Sequence, residues 1–215
     1  MGNMPGQKRP SDANVIAMLH RYQCPMPFHA VRARFMGGIA SPLDRSPVQA
    51  LQELWGGELP QFATVEDSNH LLHVLMAGLW NPLTEHRIDG NPFKLTRVQV
   101  KQTRAGLHRY ALLRQQEIEG FMDGLFGPHE ELDLPESARD GVRILGKVRA
   151  FLTGVITLLD DPDQPAAAGD LTGLSDNLQA LAIVVEKEMN TVLLSCTRAR
   201  RQPLADIQPI KPIVH

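Results

Sequence analysis

The sequence predicts an all-α fold, a compact array of about seven helices, and three observations carry that expectation. Apolar residues recur at three- and four-residue spacing along most of the 215 residues. Proline, glycine and small polar residues separate these runs at the places where helices start and stop. The apolar share of 43% against 21% charged is enough to bury a sizeable core.

Residues 1–10 are polar and rich in Gly and Pro, and are expected to form a flexible tail. In "SDANVIAMLHRYQ" Ser11 serves as N-cap, with Val15, Ile16, Leu19 and Tyr22 at helical spacing. "CPMP" breaks that helix, because a residue before proline is pushed out of the α region. "FHAVRARFMGGIA" carries Phe28, Val31, Phe35 and Ile39 on one stripe, and Gly37 and Gly38 end the helix or bring it close to a neighbour. "RSPVQALQELWGG" is the clearest local signal. Ser46 caps, Pro47 occupies the first helical position, and Val48, Leu51, Leu54 and Trp55 form the stripe. Gly56 then stops the helix in the left-handed conformation. A phosphate-binding loop would precede a helix rather than follow one, so "WGG" reads as a corner.

The next helix enters through Thr64 and Asp67 and carries Leu71, Leu72, Leu75, Met76, Leu79 and Trp80, until Asn81-Pro82 weakens it. Residues 93–111 leave two readings open. Phe93, Leu95, Val98 and Val100 partly alternate, which suggests a short hairpin turning at "TRAG", while a helix from Thr96 fits nearly as well. Irregular or short-strand structure is expected there, before a helix from about Leu112 to Phe126. A long helix follows "GPHEELDLPES", striped by Val142, Leu145, Val148, Phe151, Leu152, Val155, Ile156 and Leu159. Its glycines, Gly141, Gly146 and Gly154, hint at close contact with another helix. "DDPDQPAAAGD", near residues 160–170, reads as a linker before the last helix. The expected organisation is one helical domain over residues 11–201 and an extended tail over 202–215, where three prolines recur.

Composition excludes several function classes. A formal charge of −2 and a pI near 6.4 exclude a globally basic nucleic-acid binder. No apolar run reaches the roughly 20 residues of a membrane span, and the start lacks an apolar signal core. The two cysteines, Cys24 and Cys196, have no metal-ligand spacing and suit a reducing cytoplasm, with Cys196 on an apolar helical side. No residue is assigned as catalytic, cofactor-binding or metal-ligating. The nearest constellation is His70 and His73, three apart on a helix and sharing a face with Glu66, a spacing open to zinc or iron. It lacks the embedded glutamate and four-residue spacing of a zinc-protease helix. Glu130/Glu131 and Asp160/Asp161 are adjacent and diverge, and no nucleophile-elbow sequence surrounds Ser41, Ser46 or Ser195. Arg198, Arg200 and Arg201 form a basic cluster that follows the final helix, where cations offset the helix dipole; with Arg32 and Arg34 they are the candidates for phosphate contact.

"FMGGIASP", "SPVQALQELWGGELPQF" and "VEDSNHLLHVLMAGLWN", in that order, resemble the run of the YecA/YgfB-like family of small bacterial helical proteins. "EGFMDGLFG" is similar to that family's second, "GF-x-x-G" signature. The resemblance covers roughly residues 28–127. It implies a compact multi-helical fold able to dimerise, with regulation through protein contacts as the role of some relatives. Many longer relatives end in a cysteine-rich metal-binding module, which "PIKPIVH" does not supply.

The expectation for function is a cytoplasmic, non-enzymatic protein that acts through an unidentified protein partner and can form a homodimer through its long helices. The alternatives are a metal-dependent hydrolase using His70, His73 and a carboxylate, and a nucleic-acid binder using the arginine cluster.

Overall fold

A computed structural model describes residues 9–43, 45–88, 90–163 and 168–205. Its helices are α1 (Asp12–Arg21), α2 (Phe28–Ala40), α3 (Pro47–Gln52), α4 (Val65–Leu75), α5 (Asn81–Thr84), α6 (Arg104–Phe126), α7 (Glu136–Asp160) and α8 (Ala168–Ala205). A π-helical turn, Met76–Trp80, joins α4 to α5, so these make seven helical rods among the described residues, with no strand. The all-α expectation holds.

The first rods start as their sequences dictate. Ser11 accepts from the Asn14 amide and Ser46 from the Gln49 amide, each completed by the third residue's side chain reaching back. Pro47 sits at the head of α3, and a short 3-10 turn, Glu53–Trp55, ends at Gly56 with φ +81°. The "WGG" corner is a helix stop, and Trp55 turns inward to donate its Nε1–H to the Tyr22 carbonyl at 2.8 Å. Val48, Ile16 and Phe151, placed on buried stripes by spacing, are exposed instead. Each lies on the solvent side of its helix.

Pro82 does not end its helix. The chain widens into the π turn, the Asn81 N–H reaching back five residues to the Met76 carbonyl, and helix resumes. The widening seats Trp80 in the core, edge-on to Phe35 at 5.3 Å between ring centroids.

α2 crosses α6 through glycines. A Cβ at Gly37 would strike the Phe121 carbonyl, one at Gly120 the Ala30 carbonyl, and one at Gly124 the Arg34 carbonyl. The two backbones therefore touch directly, and around them one core runs from Val15 to Cys196. On α7 only Gly141 meets another helix, at Val192 and Glu188 of α8. Gly146 and Gly154 face open space, so their expected helix–helix contact is not made among the described residues.

Three expectations need correction. Residues 93–111 form no hairpin: residues 91–101 carry neither helix nor strand, and "TRAG" is the start of α6. Thr103 caps that helix through the Gly106 amide, so α6 begins at Arg104 rather than near Leu112. The last helix is also longer at both ends, starting at Ala168 inside the expected linker and running to Ala205, past the start of the expected extended tail. The remainder of the two tails, residues 1–8 and 206–215, and linker residues 164–167 lie outside the described residues.

Replacing Gly124 by alanine is expected to lower stability by about 3 kcal/mol or more, because backbone must move to admit the methyl group. Gly154→Ala, on an open helical face, is expected to raise it by about 0.5–1 kcal/mol. Urea unfolding midpoints of the two variants check both signs.

Candidate functional site

The irregular strap, residues 91–103, carries its own solution to the backbone problem. Non-helical chain pressed on helices finds no backbone partner there, because helices use their own amides internally. Side chains from three helices supply the partners. Asn190 of α8 accepts from the Phe93 amide at 2.7 Å and donates to the Phe93 carbonyl at 2.9 Å. Glu186, one turn earlier, accepts from the Leu95 amide at 3.1 Å. Glu117 of α6 accepts from the Thr96 amide at 2.8 Å, and Arg114 donates to the Thr96 carbonyl at 2.7 Å. Arg32 of α2 donates to the Lys94 carbonyl at 2.7 Å and lies over the Phe93 ring at 4.5 Å. The partial two-residue alternation read from the sequence is met at Phe93 and Leu95, which are buried, but not at Val98, which is exposed. Its partner is a set of polar side chains rather than a second strand.

Arg114 and Glu117 are ion-paired and both buried, with side chains 5% and 1% exposed. Glu186 is bridged by Lys94 at 2.9 Å and Arg97 at 3.2 Å. Burial raises the affinity of the Glu186 carboxyl for a proton, but the bonds from Lys94 and the Leu95 amide, with the charge of Arg97, outweigh it and hold the group below its ordinary 4.5.

Beyond Thr96 the strap opens to solvent. Val98 is 41% exposed, and Ile183 of α8 is 70% exposed. Two adjoining clefts of about 280 and 260 Å³ flank Val98 and share Tyr110. The first continues over Leu113 to Arg109 and Lys101, the second over Ala182 and Ile183 to Arg97 and Glu186. No Asp or Glu occurs between Gly90 and Glu117, while Lys94, Arg97, Lys101, Arg104, Arg109 and Arg114 all do. That acid-free run was a signal available in the sequence. Ile183 was not, because it sits in the apolar string "ALAIVV" whose neighbours Leu178 and Val185 are core.

The other candidates are placed as follows. His70 and His73 are exposed and line a cleft between α1 and α4 with Pro10, Asn14 and Met18; Glu66 is exposed outside that lining. Among the described residues no group of three His, Cys, Asp or Glu side chains stands close enough to hold a metal ion. The arginine cluster lies inside α8 rather than beyond it, and Arg200 donates to the Ile39 carbonyl at the end of α2 at 2.6 Å. Arg34 bridges Asp123 at 3.4 Å and Glu53 at 3.6 Å. A cleft of about 490 Å³ at Gln49, Gln52 and His129 touches Gly57 at its rim. Its Arg45 is engaged with Glu53 and the Phe126 carbonyl at the end of α6. Cys196 is buried, which pushes its thiol up to about 11. Among the described residues no helix is long and apolar enough to cross a membrane.

Comparison with models of known protein families, with curated proteins and with solved structures finds no match.

Glu186→Gln is expected to lose about 2 kcal/mol at neutral pH, since the amide cannot hold two cations. Because the folded carboxyl titrates below its unfolded value, that stability is present above the usual carboxylate range and disappears as pH falls through the folded value. Urea midpoints of the wild type and the variant should therefore converge on acidification. A gap that stays constant down to pH ~3 would show that the charge is not what holds the strap.

Proposed function

We propose that this protein is a non-enzymatic helical module that acts by docking another protein on the face formed by the strap, α6 and α8. The observation that carries the reading is the exposure of Val98 and Ile183 on two adjoining clefts with a cationic margin. Large apolar side chains left in water over a cleft are a recurring mark of protein-contact surfaces. The two free cysteines, one buried and one half-buried, suit the reducing cytoplasm as the place of action. Membership in the YecA/YgfB-like family is part of this proposal and rests on the order of the motifs between residues 28 and 127.

Affinity capture from an extract of the source cells checks the docking face. The wild-type chain is expected to retain specific proteins that a Val98→Glu/Ile183→Glu double variant loses. A Val65→Glu control, at an exposed site on α4, is expected to keep them. Identical captured sets from all three chains would end the reading.

Self-association is a second proposal, supported by a different surface. Phe151 and Leu158 are each 47% exposed on α7, with Gly154 between them facing open space. An isologous pairing of that face would bury both side chains in each copy. Light scattering is expected to give a dimer mass for the wild type and a monomer mass for Phe151→Glu; a monomeric wild type at working concentration refutes it.

A further inference from the structure

We propose that the cleft between the strap and the first turns of α6 is an anion pocket. It receives an acidic side chain of the docked partner, while an aliphatic neighbour of that acid lies on Val98 and Leu113. The inference rests on the docking face proposed above and names the chemistry by which a partner is held there.

The polar groups of the cleft supply the first part of the argument. Lys101 and Arg109 line it and are exposed, and no acid pairs with either among the described residues. The acids of the neighbouring elements are engaged elsewhere: Glu117 by Arg114, Glu186 by Lys94 and Arg97, and Asp160 by His108 at 3.1 Å. Tyr110 adds a donor. It is 6% exposed and lines this cleft and the adjoining one, yet its hydroxyl makes no hydrogen bond among the described residues. The side-chain atoms that the fold encloses without a partner are on Tyr22, Arg34, Arg114 and Thr197, so the Tyr110 hydroxyl is not sealed in. It opens to solvent through the clefts that its ring lines, and Arg114 lies over that ring at 4.8 Å. Two uncommitted cations beside a buried phenol with a free hydroxyl call for an acceptor that carries negative charge.

Size and lining supply the second part. The cleft measures about 280 Å³, below the roughly 300–1,000 Å³ of pockets that enclose a free small molecule. It suits a side chain or two, delivered by a partner that rests on Val98 and Ile183. Val98 and Leu113 form the apolar part of its lining, and an aliphatic residue beside the acid would cover them. A carboxylate fits this setting better than a phosphoryl group. Phosphoryl groups are held by clusters of arginine and by free backbone amides at helix starts. The α6 amide at this cleft, that of Gly106, already donates to Thr103 Oγ1 at 3.1 Å. A basic partner is repelled by Lys101 and Arg109.

The test uses the whole chain. The probe for the pocket is hexanoate, followed by NMR, with hexanamide, hexylamine and inorganic phosphate for comparison. Hexanoate is expected to shift the Tyr110 ring and Val98 methyl signals in a saturable way. The three comparison compounds should bind at least about tenfold more weakly, since each lacks either the charge or the apolar body. Tyr110→Phe is expected to weaken hexanoate about threefold to tenfold through loss of one charge-assisted hydrogen bond. A Lys101→Glu/Arg109→Glu chain, with an unchanged circular dichroism spectrum, should show no saturable shift. The partner's acid is read by treating captured complexes with a carbodiimide, which couples an amine to a carboxylate. It is expected to join Lys101 to an Asp or Glu side chain of a captured protein, and Lys101→Arg should keep that protein but lose the link. Failure of hexanoate to bind, equal binding of hexanamide, or unchanged binding by the charge-reversed or Tyr110→Phe chain overturns the inference. So does a captured complex in which Lys101 forms no link. Phosphate binding more tightly than hexanoate would replace the carboxylate with a phosphoryl group. Should hexanoate fail while Val98→Glu/Ile183→Glu still strips partners in the capture experiment, the pocket falls and the docking face stands. Should hexanoate bind while the captured sets stay identical, the docking face falls, and the partner's acid with it.

Discussion

A non-helical segment lying on helices must have its buried backbone polar groups satisfied, and here that constraint fixes more of the structure than any single apolar contact. The strap buries Phe93 and Leu95, which carries the amides and carbonyls of residues 93–96 toward the interior. Five side chains on α2, α6 and α8 answer them. Each must sit at one height along its helix to do so, so the clamp sets the register of three helices at once. The buried Arg114–Glu117 pair is the extreme case. Removing an ion pair from water is costly, and such pairs act more reliably as specifiers of arrangement than as sources of stability. Here the pair has a definite task, because Glu117 also holds the Thr96 amide and Arg114 the Thr96 carbonyl.

The same economy governs the arginines. Arg45 donates to the Phe126 carbonyl at the end of α6, and Arg200 to the Ile39 carbonyl at the end of α2. Arg104 reaches the carbonyls of Leu158, Leu159 and Asp161 at the end of α7. Helix C-termini leave carbonyls unpaired and carry partial negative charge, so a guanidinium from a neighbouring element serves both needs. Of the arginines read in the sequence as candidates for phosphate contact, Arg200 is thus committed to holding a helix end in place. Arg45 shows how tightly such a cap can be fitted: it occupies the space where any side chain on Gly127 would stand.

The glycines divide by what faces them rather than by their neighbours in sequence. Gly37, Gly120 and Gly124 let α2 and α6 touch backbone to backbone, while Gly146 and Gly154 on α7 look onto open space. The first group belongs to the scaffold. The second lies beside the exposed Phe151 and Leu158, on a face that the chain itself leaves uncovered. Among the described residues the two uncovered apolar surfaces, this one and the docking face, differ in character, the one helical, the other grooved and rimmed by cations.

Much of the fold could be read directly from the chain, because its signals are local. Helix caps at Ser11, Ser46 and Thr64 act within one turn, and so does the left-handed stop at Gly56. The all-helical class and the structural role of the "WGG" corner follow from these alone. The candidate site was legible only as a fragment, the alternation of Phe93 and Leu95 and the absence of acids around it. That alternation normally means a strand partner, and nothing in the linear order shows that Glu117, Glu186 and Asn190, from 21 to 97 residues away, take the partner's place. Which flank of α8 stays bare, leaving Ile183 in water, and which glycines are pressed against a neighbour were likewise decided by tertiary packing. Caps and turns are set by residues a few positions apart, whereas exposure and hydrogen-bond partners across helices depend on how the rods are laid together.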